Sequence, residues 1–291
     1  MIKFVTFVDG SNLDGTLKHL DLRVDDYGHF YRYIFEQAVG CWGRSFANGA
    51  NWPTAQHSRI NWYVVGRMDE WDLSDPRVQD RLRSRFEMNP QLMESYIRGM
   101  DLEIPPEQRL TEAWNACFAE TCQWYEYKQK GLDKKKRFYH GVQAATDFVE
   151  IHQHGHWKMD LLYRTISEKG LDTSLAVDMV ALQETYDVAL LISGDADGIP
   201  GINYVKSRSK HVGVVEFRKG SAQGSYAKGT SSRLKNAADF VVQIYQADLL
   251  RMNISYRAEG ASRQNFFEDS WRSGSDDVAE VVEVMDNDGE Q

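Results

Sequence analysis

Three cysteines in 291 residues, Cys41, Cys117 and Cys122, are too few for a disulfide framework and lack the paired spacing of a zinc site. They read as reduced core thiols. Only six prolines are present, and nothing collagen-like, coiled-coil or low-complexity is in view. No apolar run approaches the ~20 residues that span a bilayer, and the opening from Met1 reaches Asp9 before a signal-peptide core can form. A cytoplasmic protein with no membrane partner is therefore expected. An excess of positive charge is also lacking, since the net charge is −9, which argues against a simple basic coat for nucleic acid.

What is present points to a globular enzyme or binding module. Hydrophobic residues make up 42% and aromatics 12%, including eight tryptophans, too many for a disordered chain. The negative charge is concentrated at one end. Residues 266–291 carry nine acids (Glu268, Asp269, Asp276, Asp277, Glu280, Glu283, Asp286, Asp288 and Glu290) against Arg272, which leaves residues 1–265 at −1. The body can thus hold local basic faces beside a local acidic pocket.

Ile2 to Val8 is an almost unbroken apolar, β-rich run, as in a central strand covered on both faces. The patterning predicts a helix over 29–42, a strand over 59–65 and a helix from Pro105-Pro106-Glu107 to about Lys128. Strand-like sequence resumes at Arg137. From there the rhythm is clear: helix 171–185, strand 188–193, helix 199–207, strand 212–217 and strand 240–244. Alternation at this spacing implies a doubly wound, mostly parallel sheet with helices on both faces. Residues from about 66 to 136 interrupt it and read as a largely helical insertion. After about Arg251 the apolar density falls, and an acidic, partly disordered tail over 258–291 is expected to follow a domain spanning 1–257.

In open α/β sheets, ligands collect at the carboxyl ends of strands where strand order reverses. Two strands here end in acids, one in Asp9-Gly10-Ser11-Asn12 and the other in Ser193-Gly194-Asp195-Ala196-Asp197. If those strands are neighbours, three carboxylates share one crevice, and they cannot all ionise there without a cation. Mg²⁺ or Mn²⁺ suits such a set. The alternative is that these are ordinary turn residues. Asp172 lies within about 40° of the apolar stripe of its helix and Asp178 about 80° away; Asp172 reads equally as a helix cap.

These residues carry a resemblance. Phe7-Val8-Asp9-Gly10-Ser11-Asn12, then Glu168-Lys169-Gly170-Leu171-Asp172 through Ala176-Val177-Asp178-Met179, then Leu191 to Asp197, then Ala237-Ala238-Asp239-Phe240, together resemble the NYN domain of the LabA-like branch of the PIN-like metal-dependent nucleases. The resemblance covers roughly 1–65 and 135–250. It implies a PIN-like α/β fold and cleavage of RNA in an acidic pocket holding Mg²⁺ or Mn²⁺. By position Asp9, Asp172, Asp195 and Asp197 match the catalytic and metal-binding acids, with Asn12, Ser193 and Asp178 in support. Gly198-Ile199 departs from the family, in which a bulky apolar residue commonly follows the second aspartate.

An acidic pocket repels RNA, so grip must come from elsewhere. Lys128, Lys130, Lys134, Lys135, Lys136 and Arg137 form the densest basic run, expected in an exposed loop of the insertion, and Lys206, Arg208, Lys210 and His211 form a second. Each equally suits a solvated charged surface. Trp114, Trp124, Tyr125 and Tyr127 suit a helix core better than base stacking. His152, His154 and His156 alternate and would share a strand face, where an exposed polar face or an RNA contact is a better reading than a metal trio. The spacing of Gly220, Gly224 and Gly229 fails the Walker pattern because Thr230 follows Gly229.

The expected activity is metal-dependent endoribonucleolytic hydrolysis leaving 5′-phosphate and 3′-hydroxyl ends. The alternative is a non-catalytic RNA- or protein-binding regulator on the same fold. A haloacid-dehalogenase-type phosphatase needs an aspartate at position 11, where Ser11 stands. Oligomeric state stays open.

Overall fold

The apolar run at the start forms strand β1 (Ile2–Asp9), buried from Phe4 onward. Side chains alternate across it. Phe4 and Val8 enter a core cluster with residues of helix α2 (Tyr27–Phe46), whereas Phe7 meets Tyr186 edge-on at 5.7 Å on the opposite face. The computed structural model describes residues 1–46, 54–99, 104–227 and 230–258. The acidic tail, and Gly229, lie outside the described residues.

The other elements, in chain order, are helix α1 (Gly10–His19), β2 (Leu22–Arg23), β3 (Ala55–Met68), α3 (Pro76–Glu87), α4 (Pro90–Arg98), α5 (Pro106–Ala145), β4 (Val149–Asp160), β5 (Thr165–Lys169), α6 (Leu171–Ala181), β6 (Val188–Ile192), α7 (Ile199–Ser207), β7 (His211–Ser221), β8 (Gly224–Ala227), α8 (Ser232–Ala237), β9 (Phe240–Tyr245), α9 (Gln246–Arg251) and β10 (Tyr256–Arg257). Among the described residues eight strands make the main sheet. Its order is β5-β4-β3-β1-β6-β7, with β8 and β9 each also paired to β7. The pairs β1/β3, β1/β6, β3/β4, β6/β7 and β7/β9 are parallel, and β7/β8 is antiparallel. The mostly parallel, doubly wound α/β architecture expected from the alternation is the one observed.

The chain builds outward from β1 in two directions, first through β3 to β4 and then through β6 to β7. Strand order therefore reverses between β1 and β6, the crevice where such sheets bind ligands. Their register runs from Phe4↔Val188 to Val8↔Ile192, which brings the ends of the two acid-bearing strands level.

Two compact units divide the described residues, one of 1–69, 129–158 and 168–258 and the other of 70–128 and 159–167. The second unit has its own core of Leu82, Phe86, Trp114, Cys117, Leu161 and Leu162. In it Trp114, Trp124 and Tyr125 are buried and Tyr127 is 49% exposed, so three of the four aromatics weighed for base stacking serve packing. Cys41, Cys117 and Cys122 are unpaired thiols.

Several expectations need correction. The basic run does not occupy a loop, since α5 continues unbroken through Ala145. Strand sequence does not resume at Arg137 either: Leu132, Tyr139 and Val142 are buried at helical spacing, and β4 begins only at Val149. Helix α1 was not foreseen, because Asp9-Gly10-Ser11-Asn12 reads as a turn. Among the described residues no helix is long and apolar enough to cross a membrane.

Candidate metal centre and active site

Asp9, the last residue of β1, caps α1: its Oδ1 accepts from the Asn12 backbone N–H at 3.0 Å. Asn12 thus supports Asp9 through its main chain. The carboxyl is 6% exposed, and burial, then the charges of Asp172 and Glu168, push it up to about 6 against the pull of the Asn12 hydrogen bond. The next residue must be glycine. A Cβ on Gly10 would stand 2.7 Å from the Tyr63 carbonyl oxygen and 2.7 Å from Trp62 Nε1, so the close approach of α1 to β3 fixes where Asp9 sits.

Beyond β6, the Ser193 hydroxyl accepts from the Asp195 N–H at 3.1 Å, and Asp195 Oδ1 accepts from the Asp197 N–H at 3.1 Å. These bonds close the loop as a single 3₁₀ turn over Ala196–Gly198. They occupy one oxygen of Asp195, and the Asp197 carboxylate makes none of them.

Asp172 comes from the first turn of α6. The cap of that helix is Gly170, in the left-handed region at φ 87°, with no side-chain capping bond. The capping reading of Asp172 is therefore wrong, and a side chain at Gly170 would strain the turn that delivers Asp172. Ligand atoms of Asp172, Asp195 and Asp197 all lie within 4.8 Å of one another. Partial burial first, then repulsion from Asp195 and Asp197, raises the Asp172 carboxyl above the ordinary aspartate range. Asp9 does not enter that trio at this distance; its charge couples to it through Asp172.

Glu168 is a neighbour that residue patterning did not single out. Ser11 Oγ donates to its Oε2 at 2.8 Å, and its carboxyl is raised by desolvation and by Asp172, against the lowering effects of Ser11, Lys135 and Trp157. Its place at the end of β5, four residues before Asp172, was the available signal. An open groove of about 790 Å³ runs from Glu168, Asp172 and Asp197 between α6 and α7, with Val177 and Tyr204 on its walls.

Asp178 sits elsewhere on α6. Its Oδ2 accepts from Tyr63 Oη at 2.9 Å and lies 4.0 Å from His152 Nδ1.

The basic residues divide by helical phase. On α5, Lys130, Lys134 and Arg137 recur at i, i+4 and i+7 on one exposed stripe. Lys135 points differently, 3.2 Å from Asp14 and over the Trp157 ring at 6.0 Å. Its charge is felt at Glu168. Lys136 is part-buried, and Lys128, in the other unit, lies over the Trp124 and Tyr127 rings. In the second cluster Lys206 is held by the Ala237 carbonyl at 2.7 Å and Asp239 at 3.0 Å, and His211 Nδ1 accepts from Trp42 Nε1. Arg208 is exposed and Lys210 part-buried.

Fold and site define a mixed α/β protein with an acidic cluster at a topological switch point. Residues 118–245 match the NYN domain family. That stretch holds Asp172, Asp195 and Asp197 but stops short of β1 and Asp9. No curated protein matches the chain. Among solved structures, it is similar to a protein of unknown function from Vibrio parahaemolyticus, at 15% identity and a TM-score of 0.37, over 84% of this chain and 93% of that one.

Proposed function

We propose that this chain is a cytoplasmic, metal-dependent endoribonuclease of the LabA-like NYN type, cutting RNA to leave 5′-phosphate and 3′-hydroxyl ends. The observation that carries the reading is the convergence of Asp172, Asp195 and Asp197 within 4.8 Å at the crevice between β1 and β6. The donors are all carboxylate oxygens, and burial first, then mutual repulsion, displaces Asp172 and Asp9 upward, a cost of negative charge that a divalent cation offsets. Such a set fits Mg²⁺ or Mn²⁺. Asp172, Asp195 and Asp197 would hold the ion, with Asp9 and Glu168 completing the negative wall.

When bound, the ion supplies an acidified water and charge stabilisation on the phosphate oxygens. The chain's own residues do the rest. Ser193 and the Asp195 turn keep two carboxylates fixed, Gly170 delivers the third, and the groove between α6 and α7 gives the strand a path past them. The exposed stripe of Lys130, Lys134 and Arg137, with Arg208, offers phosphate contacts.

The test is incubation of labelled single-stranded RNA with purified protein in Mn²⁺, Mg²⁺ or EDTA. Cleavage is expected with one or both ions and none in EDTA. Asp195→Asn should lower the rate by about 100-fold or more, since several kcal/mol of charge stabilisation are at stake, and leave RNA affinity largely intact. Binding without cutting under every condition would replace this reading with that of a non-catalytic regulator.

A further inference from the structure

Elsewhere along α6 from Asp172, a different donor set converges. His152 and His154 of β4 and Asp178 of α6 each offer a ligand atom, and these atoms lie within 4.8 Å of one another. The alternation of His152, His154 and His156 suggested a three-histidine face, but the β3/β4 register shifts on either side of Gly155. His156 goes to Asp69, with Nε2 2.6 Å from Oδ1, and Asp178 takes its place beside the other two.

The surroundings prepare this set for an ion. Asn61, 1% exposed, presents its Oδ1 to His152 Nε2 at 3.0 Å, a contact satisfied by the tautomer with the ring proton on Nε2. The lone pair is left on Nδ1, facing Asp178 Oδ2 at 4.0 Å, too far for a hydrogen bond. A ligating histidine characteristically gives its other N–H to an oxygen in this way, which fixes tautomer and ring orientation. Tyr63 supplies the rest of the support. Its ring stacks on His152 at 4.8 Å and 14°, and its hydroxyl donates to Asp178 Oδ2 at 2.9 Å.

We propose that His152, His154 and Asp178 form a second metal site, selective for an imidazole-seeking transition metal ion, Zn²⁺ by class, with three protein ligands and one position left to water. It differs in chemistry from the all-oxygen trio and does not depend on the nuclease reading. An ion here would tie β4 to α6, the helix that also carries Asp172.

The experiment titrates the EDTA-treated full-length protein with Co²⁺ and then Zn²⁺, in excess Mg²⁺ to occupy the acidic trio. One equivalent of Co²⁺ should give a visible ligand-field absorption that Zn²⁺ displaces, and Zn²⁺ should raise the melting temperature. His154→Ala, at an exposed position that leaves the core intact, should weaken Zn²⁺ binding by at least about tenfold, and Tyr63→Phe by about tenfold through the lost support. Asp195→Asn should bind as the parent does. Absence of saturable binding, unchanged affinity in His154→Ala, or loss confined to Asp195→Asn would each overturn the assignment.

Discussion

Asp9 serves as a cap and as part of a negative wall, and the two roles pull its ionisation in opposite directions. Burial wins, so the folded carboxyl titrates at about 6 against 3.8 for the ordinary group. A group raised on folding adds stability below its unfolded value and loses it as pH rises through the folded one. Ionised Asp9 therefore destabilises the metal-free protein at neutral pH. Asn keeps the capping oxygen and the shape. In urea denaturation with EDTA, Asp9→Asn should be more stable than the parent at pH 7.5 by about 2 to 3 kcal/mol, from ~1.4 kcal/mol per pH unit. The gap should close by about pH 3. A parent as stable as the variant at pH 7.5 contradicts the cost of burying an ionised Asp9.

Among the secondary-structure elements, α5 decides which basic side chains are presented together. Residues 128–137 are dense in lysine, which reads as a loop until the burial of Leu132, Tyr139 and Val142 shows the helical phase. That phase sorts the lysines: Lys130, Lys134 and Arg137 face outward together, while Lys135 is engaged with Asp14. Replacing the three outward residues with Gln should weaken single-stranded RNA binding. The slope of log affinity against log salt should fall by up to about 2, at ~0.7 per phosphate contact. An unchanged affinity and slope would remove the stripe from the interface.

Strands β1 and β6 and helix α7 were legible because apolar runs and helix spacing are local signals, and the switch point followed from their order. Helix α1 was hidden because Asp9-Gly10-Ser11-Asn12 carries turn chemistry, although Leu13, Leu17 and Leu20 recur at helical spacing and are buried. The separation of Asp178 from the acids depended on tertiary contact with Tyr63, which no spacing reveals. So did the recruitment of Glu168 by Ser11.

For the whole molecule, the charge is divided between a near-neutral body and a tail at −8. By its charge alone, residues 266–291 can compete with RNA for basic surface. Removal of that segment should tighten RNA binding at low salt and have little effect at high salt, where the Debye length shortens to about 3 Å at 1 M. Equal affinity at low salt would dismiss the competition.

The most direct test of the metal-centre claim is a crystal structure of the protein soaked in Mn²⁺, with the anomalous signal locating the ion. An ion is expected between β1 and β6, bound by carboxylate oxygens of Asp172, Asp195 and Asp197 at about 2.1 Å, as for a small divalent cation. An ordered crystal with no anomalous peak at those three carboxylates would contradict that expectation.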